Sequence, residues 1–164
     1  SKKFIESKKF KSNVIFFPIA VSNFNGQLKV FIDELYNQDF QTASSVSILN
    51  KGYQSEGTIV NCSTLKKVMN NCNLKKIDIL KLDIEGAAID VLDKAFDDNI
   101  YPDQIAAEFE RPPGLINTIL FLKKIYFLIK KMKKKGYILY RTREIDLGCQ
   151  IEILAKMTTV KNFK

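Results

Sequence analysis

Four carboxylates, Asp83, Glu85, Glu108 and Glu110, stand at or just past the carboxyl ends of two apolar runs, Ile77–Ile84 and Ile105–Phe109. If those runs are neighbouring parallel strands, the acids gather on one rim of a sheet, where open α/β folds bind their ligands. The chain contains no histidine, which excludes a Ser-His-Asp triad, a Cys-His pair and a His-ligated zinc within it. Acid/base work therefore falls to carboxylates, Lys, Tyr or Cys. Carboxylates on a rim can take a proton from an attacking hydroxyl or hold a hard divalent cation, although the spacing here does not demand a metal. Asp83-Ile84-Glu85-Gly86 also leads straight into a helix start, where an acid can simply cap the helix or complement its dipole. Both readings stand at this level.

The elements that must position these acids are legible as apolar patterns. Val14–Val21 is a continuous apolar run, the pattern of a strand covered on both faces, and Pro18 places it at a sheet edge because proline cannot donate to a ladder. Asn25-Gly26 signals a turn, followed by a strand over Leu28–Asp33. Residues 34–57 turn polar and read as a long loop or lid. Thr58–Cys62 is a short strand, and Ser63 or Thr64 caps a helix burying Leu65, Val68, Met69 and Cys72. Ile77–Ile84 reads as a central strand and residues 86–96 as a helix with Ile89, Val91, Leu92, Ala95 and Phe96 inward. A strand over Ile105–Phe109 precedes a buried helix from Leu115 to about Lys135. Tyr137–Arg141 and Gln150–Ala155 close the chain as an antiparallel pair. Alternation of this kind predicts an open α/β sheet in one domain, residues 1–164. Phe16, Phe17, Phe96, Phe109, Phe121 and Phe127 read as core, and Tyr36, Tyr53 and Tyr101 as candidates to line a pocket.

Composition narrows the partners. The 164 residues carry 26 Lys plus Arg against 18 Asp plus Glu, a formal charge of +8. Only Arg111, Arg141 and Arg143 are arginines, whereas base-reading and phosphate-forking interfaces favour Arg, which argues against a nucleic-acid partner. The Lys130–Lys135 run falls at a helix end, where cations also suit the dipole. Cys62, Cys72 and Cys149 show no CxxC spacing, as expected for reduced thiols in the cytosol. Lys123 and Lys124 interrupt the most apolar stretch, so no transmembrane segment is expected.

In chain order, Ile19-Ala20-Val21-Ser22-Asn23 with Gly26 behind it, Cys62-Ser63-Thr64-Leu65, Leu80-Lys81-Leu82-Asp83-Ile84-Glu85-Gly86-Ala87 and Ile105-Ala106-Ala107-Glu108-Phe109 resemble the FkbM-type methyltransferases. The resemblance implies a class I, Rossmann-like methyltransferase that uses S-adenosylmethionine and acts on a hydroxyl of a sugar, glycan or related metabolite. It implies that Asp83 lies beside the methyl-sulfonium end of the cofactor, with Glu85 and Gly86 shaping that rim. Asp83 and Glu108 become the catalytic candidates, and Ser44, Ser45 and Glu110 the acceptor side. Ala88 and Lys66 depart from the family pattern, which has Glu after Gly-Ala and Asp after Thr-Leu.

The same resemblance implies a Gly-rich turn and an acid-tipped second strand to grip the cofactor, and no such unit precedes Val14. In the family's sheet order, three-two-one-four-five-seven-six, Val14–Val21 takes the third place and Ile77–Ile84 the fourth. The expectation is an incomplete sheet lacking the first two strands, functional only with an N-terminal portion. The competing expectation is a truncated, non-catalytic α/β module that binds anionic partners through its Lys-rich helix.

Overall fold

The structure is a computed structural model, and it describes residues 14, 16–32, 46–47, 57–84, 86–141 and 150–158. Among these residues the elements run β1 (Ala20–Val21), β2 (Gly26–Ile32), β3 (Val46–Ser47), β4 (Thr58–Ser63), α1 (Leu65–Asn71), β5 (Ile79–Leu82), α2 (Ala88–Asp97), β6 (Gln104–Glu110), α3 (Leu115–Lys134), β7 (Tyr137–Arg141) and β8 (Gln150–Met157). They form a mixed α/β fold with two four-stranded sheets, ordered β1-β4-β2-β3 and β5-β6-β8-β7.

The first sheet is held by a short clamp. β2 and β4 pair antiparallel from Gly26↔Cys62 to Val30↔Thr58, and β1 lies parallel to β4 through Ala20↔Cys62. At the turn before β2, the Asn25 side-chain carbonyl accepts from the Ser63 hydroxyl at 3.0 Å and from the Thr64 N–H at 3.1 Å. Thr64 has extended backbone angles and its hydroxyl accepts from the Lys67 N–H at 3.4 Å, as an N-cap requires. The expected cap thus starts α1, with Leu65 and Met69 buried and Val68 and Cys72 only partly so.

The second sheet carries the core. β5 and β6 are parallel, β8 runs antiparallel to β6, and β7 closes the edge antiparallel to β8. Leu80 and Leu82 of β5 and Ile105, Ala107 and Phe109 of β6 point to the face covered by helices. Against them pack Val91, Leu92, Ala95 and Phe96 of α2 and Phe121, Ile125, Leu128 and Met132 of α3, the last four recurring at i, i+4, i+7 and i+11. Leu92 and Met132 expose nothing to solvent.

Three expectations are corrected. Val14–Val21 is not one doubly covered strand: among its described residues only Ala20–Val21 is in a ladder, and Val14, Phe16 and Phe17 are exposed. Pro18 withholds the N–H that would extend the ladder, and β4 offers β1 just two paired positions. The helix over Leu115–Lys134 is buried along one stripe only, and Phe127 is exposed along with Leu115, Ile116, Ile119, Leu120, Leu122 and Tyr126. It packs on one layer, so it has one inward face. Within 34–57, Val46–Ser47 forms strand β3 on β2; apart from these residues and Gly57, that segment, with Tyr36 and Tyr53, lies outside the described residues, as does Cys149. Cys62 and Cys72 are free thiols.

Tyr137 ties the end of α3 to the loop before β6. It is buried, its hydroxyl donates to the Pro102 carbonyl, and its ring lies 5.7 Å from that of Phe96. Burial pushes its phenol well above the ordinary range, and the charge of Asp103 and the phenol of Tyr101 push the same way. The folded state therefore keeps a proton that the unfolded chain releases near pH 10. Stability contributed by Tyr137 is whole below that pH and is lost above it at about 1.4 kcal/mol per pH unit. Denaturation midpoints measured from pH 9 to 11.5 should fall above pH 10, and Tyr137→Phe should flatten that fall; an equal fall in the variant would remove Tyr137 as the cause.

Candidate functional site

The rim is set by the register of two parallel strands. The β5–β6 ladder ends at Leu82↔Ala107, so Asp83 and Glu108 follow side by side at the carboxyl end of the sheet. Alternation puts Asp83 on the less buried face shared with Ile79 and Lys81, and Glu108 on the matching face with Ala106. The Asp83 side chain is about half exposed, with the Lys81 ammonium 3.0 Å from Oδ2. The expected gathering of acids on one rim is thus present for this pair. Glu85, Ser44 and Ser45 lie outside the described residues.

Glu110 behaves differently. Two residues further along β6, it is buried at 8% exposure and lines a cleft of about 370 Å³ between the start of α2 and the first turns of α3. Phe109, Pro112, Leu120 and Phe121 supply the apolar wall, and Gly86, Ala88 and Ile89 the side toward α2. Gly86 holds φ near +81°, a left-handed conformation that a residue with a Cβ adopts at a cost. The polar groups are Glu110, Asn117, Asp90 and Lys124. Asp83 and Glu108 are not among the lining residues, so the structure separates a rim pair from a cleft acid where the sequence suggested one cluster.

The cleft is braced on both sides. Lys124 on α3 donates to both carboxylate oxygens of Asp90 on α2, at 2.8 and 3.1 Å. Asn117 donates through Nδ2 to the Pro113 carbonyl at 2.9 Å, and Arg111 reaches the Thr118 hydroxyl at 3.3 Å. These bonds fix the turn that carries the chain from β6 into α3. Among the described residues no group of three or more His, Cys, Asp or Glu is arranged to hold a metal ion.

Sequence reasoning missed Asp90, Asn117, Leu120 and Lys124 as cleft residues. Asp90 and Lys124 are 34 positions apart and meet only because α2 and α3 pack together. Lys124 did interrupt an apolar stretch, the one local sign that something at that position requires charge. A mostly apolar cleft with a few convergent polar groups suits a small organic molecule, and it opens at the strand ends where α/β folds bind ligands.

No curated protein and no solved structure matches the chain. The methyltransferase FkbM domain, however, matches residues 4–139, most of the 164. That span takes in the β5 terminus, the rim pair, the cleft and all of α2, β6 and α3. By this match, laid over a mixed α/β fold with its acids at the ends of adjacent parallel strands, the chain belongs to the FkbM methyltransferase domain family.

Proposed function

We propose that this domain serves S-adenosylmethionine-dependent methyl transfer to a hydroxyl of a sugar, glycan or related small molecule, in a reducing, cytosolic setting. The observation that carries the reading is the β5–β6 register, whose last pair, Leu82 with Ala107, is followed directly by Asp83 and Glu108 on the rim, while Glu110 lines the cleft. The sheet order β5-β6-β8-β7 corresponds to positions four, five, seven and six of a class I methyltransferase sheet.

The residues present fit one end of the cofactor. The Asp83 carboxylate is accessible at the rim and complements a positively charged sulfonium. A cradle for the nucleoside end belongs, in this reading, on the open edge of β5, which pairs with no other strand than β6 among the described residues and leaves Ile79 67% exposed. In this reading a Gly-rich strand-turn-helix covers that edge and completes the cofactor site.

Bound at that rim, S-adenosylmethionine supplies an electrophilic methyl group on sulfur. The protein's own share is then positional. Asp83 steadies the positive charge, and the proton of the acceptor hydroxyl passes to Asp83 or Glu108. Glu110 and Asn117 hydrogen-bond the acceptor's other polar groups, and Phe109, Pro112, Leu120 and Phe121 exclude water from it. Holding the hydroxyl in line with the methyl provides much of the acceleration. Gly86 and Glu85 shape the same rim, and Ser44 and Ser45 extend the acceptor side.

Calorimetric titration of S-adenosylmethionine tests this, into the 164-residue chain and into a longer translation product of the same reading frame. Heat of binding from the longer protein, with little or none from the shorter, is the expected result. Failure of both to bind would overturn the reading.

A further inference from the structure

The solvent face of α3 has an order of its own. Leu115, Ile119, Leu122 and Tyr126 recur at i, i+4, i+7 and i+11, and each is at least half exposed. This stripe lies away from Phe121, Ile125, Leu128 and Met132, which face the core. Toward the carboxyl end the same outward arc turns cationic, with Lys130, Lys133 and Lys134.

The helix carries no acidic residue, and the acids of α2 packed beside it are already engaged. Asp90 pairs with Lys124, and Asp93 and Asp97 pair with Lys131, the last two each at 2.6 Å. Lys123, Lys130, Lys133 and Lys134 have no acidic partner among the described residues. Among the described residues, then, their charge is not neutralised by any acid.

From this geometry we infer that α3 docks the domain onto an anionic membrane surface. The apolar first half enters the boundary between headgroups and acyl chains, Tyr126 sits at headgroup level, and the terminal lysines meet lipid phosphates. The helix is about 30 Å long at 1.5 Å per residue; it lies on the surface, and no helix among the described residues is long and apolar enough to cross a membrane. Charge complementarity chooses this occupant over a second copy of the chain. A symmetric α3–α3 contact sets lysines against lysines when parallel, or lays them on the partner's apolar half when antiparallel, and neither arrangement supplies an acid. The inference stands independently of methyl transfer.

Co-sedimentation with vesicles tests it, using phosphatidylcholine alone and phosphatidylcholine mixed with phosphatidylserine. The full chain should partition onto the mixed vesicles at least tenfold more strongly than onto neutral ones. Replacing Lys130, Lys133 and Lys134 together by Gln should weaken that partition by about a hundredfold, since each lysine near an anionic surface contributes roughly fivefold. Ile119→Ser with Leu122→Ser should weaken binding to both vesicle types while leaving the circular dichroism spectrum unchanged, because both side chains are exposed. Equal binding to the two vesicle types would overturn the inference. So would a dimer in light scattering that the serine variant dissolves, which would assign the face to a second copy.

Discussion

Phe109→Ala is expected to destabilise the domain by about 3–5 kcal/mol, the usual cost of emptying a large aromatic site in a packed core. Phe109 is 1% exposed, stands at the end of β6 on the helix-covered face, and also forms a wall of the cleft. The midpoint of thermal unfolding should fall by roughly 6–20 °C, taking about 2–4 °C per kcal/mol for a chain of this size. Phe127→Ala is the control. The two residues read alike in the sequence, but Phe127 is 54% exposed, so its replacement should stay within about 0.5 kcal/mol of the parent. A shift under about 2 °C for Phe109→Ala, or equal shifts for the pair, would show that the cleft wall is not part of the core.

Asp83→Asn is expected to weaken S-adenosylmethionine binding by about tenfold while changing S-adenosylhomocysteine binding by less than about threefold. The two ligands differ by one methyl and by the positive charge it confers on sulfur, so only the first loses a favourable charge pair when the carboxylate becomes an amide. Two unit charges about 5 Å apart at an effective dielectric of about 20 attract by roughly 3 kcal/mol. Asp83 is half exposed and shares its charge with Lys81 at 3.0 Å, and screening of that kind reduces the effect to roughly one factor of ten. The measurement is the ratio of the two dissociation constants in the protein that binds the cofactor. Equal weakening of both would return Asp83 to its duller role, an acid placed before a helix start. Glu108→Gln should change the ratio less, as Glu108 lies one strand further from the open edge of β5.

Much of the fold is legible in local patterns. The Thr64 cap, the apolar spacing of α2, the parallel runs at β5 and β6 and the antiparallel closing strands all follow from periods of 3.6 and 2 and from capping chemistry. Leu80–Ala87 likewise carried the family resemblance, since side-chain type and spacing are what such a string records. The run Val14–Val21 misled because an apolar stretch states only that burial would be favourable, not that a covering layer is there. The exposed half of α3 misled for the same reason.

The candidate site divides along that line. Asp83 and Glu108 were found as strand-end acids, and they share one rim because β5 and β6 are parallel with Leu82 opposite Ala107. That Glu110 turns into the cleft while its neighbour two places back stays on the rim was not written in any period. Nor was the meeting of Asp90 with Lys124, 34 residues apart. The sequence by itself determined which segments become helix or strand and which residue types can do chemistry, because those depend on neighbours a few positions away. The tertiary structure alone decided how the strands divide between two sheets, which face of α3 is covered and which polar groups share a cavity, because these depend on contacts between distant segments that only packing brings together.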